Sequence, residues 1–366
     1  MCLRSVLLVE LRQQLLHACQ ASNTREARLL ASGGEFIAAC QTLRVAGQRR
    51  WRRWLWRIAL GVAILVVVGT VFSFGYNAVT RKPMAVPAGL TYVRTGDLRT
   101  RFRQWGTSGT PIVLVHGFVE SADTWQYTAP RLAAAGHRVY ALDLDGWGYS
   151  QRVAPFTAEH QTTQLLDFIA ALHLHRPVLV GHSSGAAIVA MAALRRSSAV
   201  GAVMFLDGDA LNTGAGARSP LTRFLIDHYR TTILRLLLRS DAVVRSIYGS
   251  ACGDSCPPLD AHGIDQWRRP LQVAGAEAAL WAMANQGVPG LRPATLARLA
   301  TTDLPKAVVF GADDSEFDKS SPYTTSARIG APPPILIPGA RHLTPVNSPA
   351  AVTAAVLALT RRVRPN

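Results

Sequence analysis

Two apolar patterns divide this 366-residue chain. Between Ile58 and Ala78 no residue is charged and Val, Ile, Leu, Phe and Gly dominate; about 20 such residues are what a helix needs to cross a bilayer. From Leu90 onward the apolar residues fall instead into short runs closed by Gly, Pro or Asp. Leu90 to Arg94 and Leu98 to Trp105 alternate about Gly96-Asp97, which predicts a hairpin. Ile112 to Val115, Val139 to Leu142, Val178 to Val180, a run at Val203, Ala307 to Phe310 and Ile335 to Ile337 read as parallel strands, the first and third as buried ones. Helical stretches between them predict right-handed crossovers. From Asp209 to Asp303 the strand rhythm stops, and Leu221 to Arg239 and Trp267 to Ala284 read as helices.

These patterns set the expected organisation: a basic segment over 1–57, a transmembrane helix over 58–80, an α/β core in two parts over 90–209 and 304–366, and a helical insert over 210–303 after the sixth strand. The span is preceded by Arg49-Arg50-Trp51-Arg52-Arg53-Trp54-Leu55-Trp56-Arg57 and followed by only Arg81 and Lys82. That arginine excess predicts a single pass with its N-terminus in the cytoplasm and the α/β region on the outer side, the tryptophans suiting the interface. A cleaved export signal is the competing reading, because Arg52-Arg53-Trp54-Leu55 resembles a twin-arginine core. The apolar run is longer than a usual signal core and no small-x-small cleavage site follows it, which favours an anchor. Val6 to Cys19 fits an amphipathic helix, and a true start near Val45 stays open.

The candidate chemistry lies at strand ends. Gly181-His182-Ser183-Ser184-Gly185 follows the run Val178 to Val180 and precedes an Ala-rich helix from Ala186 to Arg196. Glycines two residues to either side of Ser183 let the chain make a strained strand-to-helix turn that pushes a hydroxyl outward. Further on, Gly311-Ala312-Asp313-Asp314 and Pro338-Gly339-Ala340-Arg341-His342 each follow a strand, as do His116-Gly117-Phe118 and the turn Asp143 to Ser150. Open α/β sheets place their sites just beyond such strand ends. A serine needs an imidazole to take its proton, and the imidazole needs a carboxylate to fix its tautomer.

Together these motifs resemble the α/β-hydrolase superfamily of the lipase and esterase kind, over residues from about 90 to 366. The resemblance implies the α/β-hydrolase fold: a mostly parallel sheet flanked by helices with a helical cap over the site. It implies Ser183 as nucleophile, His342 as general base, Asp314 as the acid that orients it, and the backbone N–H groups of Phe118 and Ser184 as the oxyanion hole. Asp313 and Asp209 are the rival acids. His116, His182, Asp143 and Ser150 read as supports of their turns. The expected activity is hydrolysis of a hydrophobic ester through an acyl-enzyme. Thioester, carbon–carbon or peracid chemistry, or ligand binding without turnover, are the alternatives on the same fold. Epoxide hydrolases and haloalkane dehalogenases are expected to carry aspartate where Ser183 stands.

Composition adds limits. The net charge is +16, but residues 1–57 hold ten arginines against three acids, and from Met84 onward 27 basic residues face 20 acidic ones. That basic excess suits an anionic membrane surface. The charges are scattered rather than striped with aromatics, which argues against nucleic acid. No cofactor motif occurs, and the spacing of His173 and His175 suggests no metal site. Cys2, Cys19 and Cys40 precede the span, whereas Cys252 and Cys256 form a close pair beyond it, able to close a small disulfide loop in an oxidising compartment.

Overall fold

The computed structural model describes residues 34–212 and 220–363. The segment Val6 to Cys19 lies outside them. The chain divides into two compact units at Gly75/Tyr76. The first is built on helix α1, Gly34–Val79, within which Trp51–Val79 is long and apolar enough to cross a membrane. Among the described residues only 6% of its apolar window is buried. The helix begins well before the arginine cluster instead of at Ile58, since Arg, Gln, Leu and Ala all propagate helix without cost to the apolar stretch that follows.

The second unit is an α/β domain built on one sheet. Its strands are β1 Thr91–Thr95, β2 Leu98–Trp105, β3 Pro111–Val115, β4 Arg138–Leu142, β5 Val178–His182, β6 Ala202–Leu206, β7 Lys306–Gly311 and β8 Ile335–Ile337. They form one sheet in the order β1-β2-β4-β3-β5-β6-β7-β8. The β1–β2 hairpin and the β2–β4 pair are antiparallel, and every later pairing is parallel.

Alternation along the strands sorts side chains between the two faces. Val113 and Val115 pack with Phe168 and Leu165 from helix α3, Ala158–Ala171, while Ile112 and Leu114 pack with Trp125, Leu132 and Val356 on the other side. Helix α2, Ala129–Ala134, precedes α3 in the chain. Central strands β3, β5 and β6 are buried along their whole length, which is why they read as unbroken apolar runs.

Helix α4, Gly185–Arg195, follows β5. After β6 comes the cap: α5 Pro220–Arg239, α6 Asp241–Cys252, α7 Ala261–Arg268 and α8 Ala276–Gln286. Ser240 and Asp260 cap α6 and α7, accepting from the Val243 and Gly263 amides. The predicted single helix over Trp267 to Ala284 is instead broken: Pro270 sits in a 3-10 turn and Gly275 adopts φ +78° before α8 starts. Cys252 and Cys256 are joined by a disulfide at the end of α6. Helices α9 Pro293–Ala297, α10 Ser321–Ile329, α11 Thr344–Asn347 and α12 Pro349–Thr360 complete the core.

Candidate active site

Ser183 lies between β5 and α4 with φ +51°, in the left-handed region that costs a non-glycine residue energy. Its two glycines are there for space. A Cβ on Gly181 would lie 2.4 Å from the Gly185 carbonyl oxygen, and one on Gly185 would lie 2.6 Å from the oxygens of Val115 and His116. The Ser183 amide is pinned to the Leu206 carbonyl at 2.9 Å, so the turn is held from the neighbouring strand.

The loops after β7 and β8 deliver the partners. His342 Nε2 stands 3.0 Å from Ser183 Oγ, and His342 Nδ1 stands 2.9 Å from Asp314 Oδ2. Asp314 is buried, and its second oxygen accepts the Glu316 amide at 2.8 Å. The consistent assignment has Nδ1–H donating to the carboxylate and Ser183 O–H donating to Nε2. Asp313 is exposed and reaches this region only through its amide, which bonds Ala340 O, while the Asp209 carboxylate accepts the Leu211 amide. Of the three acids, the structure brings Asp314 to His342.

Phe118 and Ser184 flank Ser183. Gly117 lets the Phe118 loop come close, because a Cβ there would meet Ser183 Cβ at 2.8 Å. The Phe118 ring meets Trp147 edge-on at 4.7 Å, and Val119 has φ +63°. Among the described residues, neither the Phe118 nor the Ser184 amide donates to a protein acceptor.

The expected turn supports take their places. His116 donates from Nδ1 to Gly117 O at 2.8 Å and accepts the Leu144 amide at Nε2; burial holds it below the usual histidine range, in keeping with a neutral ring. Asp143 accepts the Ala122 and Tyr149 amides at 2.7 Å each and pairs with Arg101, and Ser150 Oγ donates to Asp143 O.

The sequence reading gave His182 too small a part and missed Glu120 and Asp207. His182 is fully buried, 2.9 Å from Glu120 Oε1 through Nδ1, and its Nε2 donates to the His342 carbonyl at 2.8 Å. Asp207 lies 3.6 Å from the same Nε2 and takes the Gly311 amide at 2.7 Å and the Thr344 hydroxyl. Burial disfavours a charged imidazole, but Glu120 and Asp207 outweigh it and hold His182 protonated well above the usual range. Burial likewise pushes the Glu120 carboxyl up, and His182 reverses that and holds it down. Glu120 follows Phe118 by two residues and His182 precedes Ser183 by one, so one buried ion pair ties together the loops that carry Phe118, Ser183 and His342. The available signal was Asp207 at the end of β6; nothing local marked Glu120.

Above Ser183 opens an apolar cavity of about 480 Å³, within the range of small-molecule sites. Cap residues Leu234, Leu238, Val244, Tyr248 and Trp267 line it, and Ser183 and His342 form its floor.

The alpha/beta hydrolase family model matches residues 112–356. The rat bifunctional epoxide hydrolase 2 is 34% identical over 144 residues, 38% of this chain and 26% of that protein. Epoxide hydrolase A of Mycobacterium tuberculosis (strain ATCC 25618 / H37Rv) is 37% identical over 123 residues, 32% of this chain and 38% of that one. The chain thus spans roughly a quarter to two-fifths of the length of these curated relatives. A crystal structure of a membrane phospholipase A superposes with a TM-score of 0.59 at 22% identity, covering 87% of this chain and all of that one, which speaks for the fold alone. With its matched region running from within β3, through the cap, to within α12, this chain belongs to the alpha/beta hydrolase family.

Proposed function

We propose that this protein is a membrane-anchored serine hydrolase that cleaves hydrophobic carboxylic esters. The observation that carries the reading is the Ser183–His342–Asp314 relay at 3.0 and 2.9 Å on the floor of an apolar cavity. Ser183 Oγ attacks the ester carbonyl while His342 Nε2 takes its proton, and Asp314 holds Nδ1–H and balances the imidazolium. The Phe118 and Ser184 amides receive the oxyanion; losing one such donor typically costs about 3 to 4 kcal/mol. Collapse expels the alcohol, which leaves with the proton from His342. Water then attacks the acyl-enzyme with His342 again as base, releasing the acid and restoring the Ser183 hydroxyl.

The relatives named as epoxide hydrolases match only part of the chain, and the serine at position 183 is the departure that favours an acyl-enzyme over their chemistry. Residues Trp51–Val79 serve as the anchor, with the arginine-rich side in the cytoplasm and the hydrolase outside. A fluorophosphonate probe tests the nucleophile, and p-nitrophenyl esters of increasing acyl length, set against thioesters, test the substrate class. Labelling of Ser183 together with turnover that rises with acyl length is the expected result. An unlabelled, folded protein would end the reading.

A further inference from the structure

Exposed apolar side chains gather on one part of the cap. On α5, Ile226, Ile233, Leu236 and Leu237 are exposed, and on α6 Ile247 is 61% exposed. Positions 226, 233 and 237 recur with the helical period, so they share a stripe. Single exposed apolar residues are ordinary; a cluster on two successive helices calls for a partner. Leu237 and Ile247 also line the cavity above Ser183, so the cluster is continuous with that site.

Two observations say what covers it. Arg235, on the same helix, donates from Nη1 to Asn77 O at 2.8 Å and Thr80 Oγ1 at 3.0 Å, while Glu277 takes its other nitrogens at 2.5 and 2.6 Å. It therefore fastens α5 to the residues at which the apolar run Trp51–Val79 ends, and chain connectivity keeps α5 at the surface of whatever bilayer that run enters. Beside it is a recess of about 630 Å³ lined by Arg81, Lys82, Arg235 and Arg239. Glu277 is satisfied by Arg235, whereas among the described residues no carboxylate pairs with Arg81, Lys82 or Arg239. Three uncompensated cations at the end of an apolar helix suit lipid phosphates, each basic residue near an anionic surface contributing about 1 kcal/mol. Leu238 lines both the recess and the cavity above Ser183.

We propose that the α5–α6 face rests on a bilayer containing anionic lipid, with headgroups against Arg81, Lys82 and Arg239, and that the substrate is an acyl lipid drawn from that bilayer past Leu237 and Ile247. The proposal rests on the ester-hydrolase and anchor reading above, and its test separates the two.

The full chain, with Cys2, Cys19 and Cys40 replaced by Ser and a fluorophore on Ile233→Cys, goes into phosphatidylcholine nanodiscs with and without phosphatidylglycerol. Spin-labelled lipid should quench the dye and aqueous iodide should not. Phosphatidylglycerol should deepen the effect, and an Arg81→Gln, Lys82→Gln, Arg239→Gln variant should erase that dependence, with inorganic phosphate unable to compete. Free access of iodide in both lipids overturns the docking whether or not the protein hydrolyses anything. Ile233→Asp with Leu236→Asp should lower kcat/KM on a bilayer-embedded ester roughly tenfold, or about 1.4 kcal/mol, and leave a short water-soluble ester unchanged. Equal loss on both substrates, or on neither, overturns the entry route. Failure of the wild type on every ester instead counts against the hydrolase reading and leaves the fluorescence result to decide the docking.

Discussion

The sheet-borne half of the site and the cap-borne half are held by different forces. Ser183, His342, Asp314, Glu120, His182 and Asp207 sit in a continuous set of directed hydrogen bonds, most of it out of water. In the cap, the cavity walls are Leu, Val, Ile, Ala, Tyr and Trp side chains together with Arg268, most of them meeting through dispersion. Its polar contacts, among them Trp281 to Thr231 at 3.0 Å, Arg268 to Asp241 at 2.8 Å, Gln266 to Asp123 O at 3.2 Å and the Arg235–Glu277 pair, join one helix to another or to the core in separate pairs. Directed bonds break at a single substitution, whereas dispersive walls yield gradually. The chemistry should therefore be intolerant of change and the specificity adjustable.

The comparison breaks most sharply at the nucleophile. Ser183→Ala and His342→Ala should each lower kcat by roughly 10⁶ and abolish probe labelling, with the melting temperature unchanged by calorimetry. Asp314→Asn should cost about 10⁴ in kcat, the scale of a wrong imidazole tautomer, while Asp313→Asn leaves turnover nearly intact. The reverse ranking would move the orienting role to Asp313.

Glu120→Gln tests the buried pair. Removing one member of such a pair typically costs about 3 to 5 kcal/mol, so the melting temperature should fall and kcat with it, as the His342 loop loosens. The pH dependence has a defined sign. Glu120 is held below its ordinary value of 4.5, so its contribution is present above that pH and is lost as pH falls through the lower folded value. His182 is held above its ordinary 6.5, so its contribution is complete below that pH and is lost only as pH rises through the higher folded value. Between these limits the wild type should exceed the variant by a constant margin, and the margin should vanish in acid. A pH-independent difference would show that Glu120 acts by packing alone.

The cap should respond more mildly. Ala251→Leu adds volume to the cavity wall and should lower kcat/KM for long acyl esters by about 10-fold, the order of one or two methylenes in a pocket. A short ester should be unaffected. Equal loss on both would mean that the cavity does not hold the acyl chain.

How much was legible in the sequence follows the same division. Ser183 and Asp314 lie just beyond buried apolar strands, and His342 five residues beyond the largely exposed edge strand β8, so apolar runs and the residues that follow them pointed to these three candidates. Glu120 acquires its role only from His182, 62 residues away in the chain, and no local pattern announces a partner across the sheet. In the cap, Trp267 to Ala284 has the composition of one helix, and the break at Pro270 and Gly275 is backbone geometry that composition understates. Likewise the arginine cluster suggested a boundary at Ile58, where the helix in fact continues from Gly34, because helix propensity does not register a change of solvent.

The smallest expected effect joins the cap's disulfide to the side of the membrane on which it lies. Cys252 and Cys256 enclose a loop of a few residues, so chain entropy gives the bond about 2 kcal/mol at most, and a Cys252→Ser, Cys256→Ser variant should keep its activity and lose only a few degrees of melting temperature. Its diagnostic value is larger than its energy, because such bonds persist only in an oxidising compartment. With the arginine-rich side in the cytoplasm, the protein should stay with membranes through alkaline carbonate, protease outside spheroplasts should reach the hydrolase domain, and the two thiols should resist alkylation until reductant is added. Recovery as a soluble protein starting beyond Lys82 would show a cleaved export signal. Protection of the domain in sealed membranes, with both thiols freely alkylated, would place it in the cytoplasm and reverse the orientation that the arginine cluster predicts.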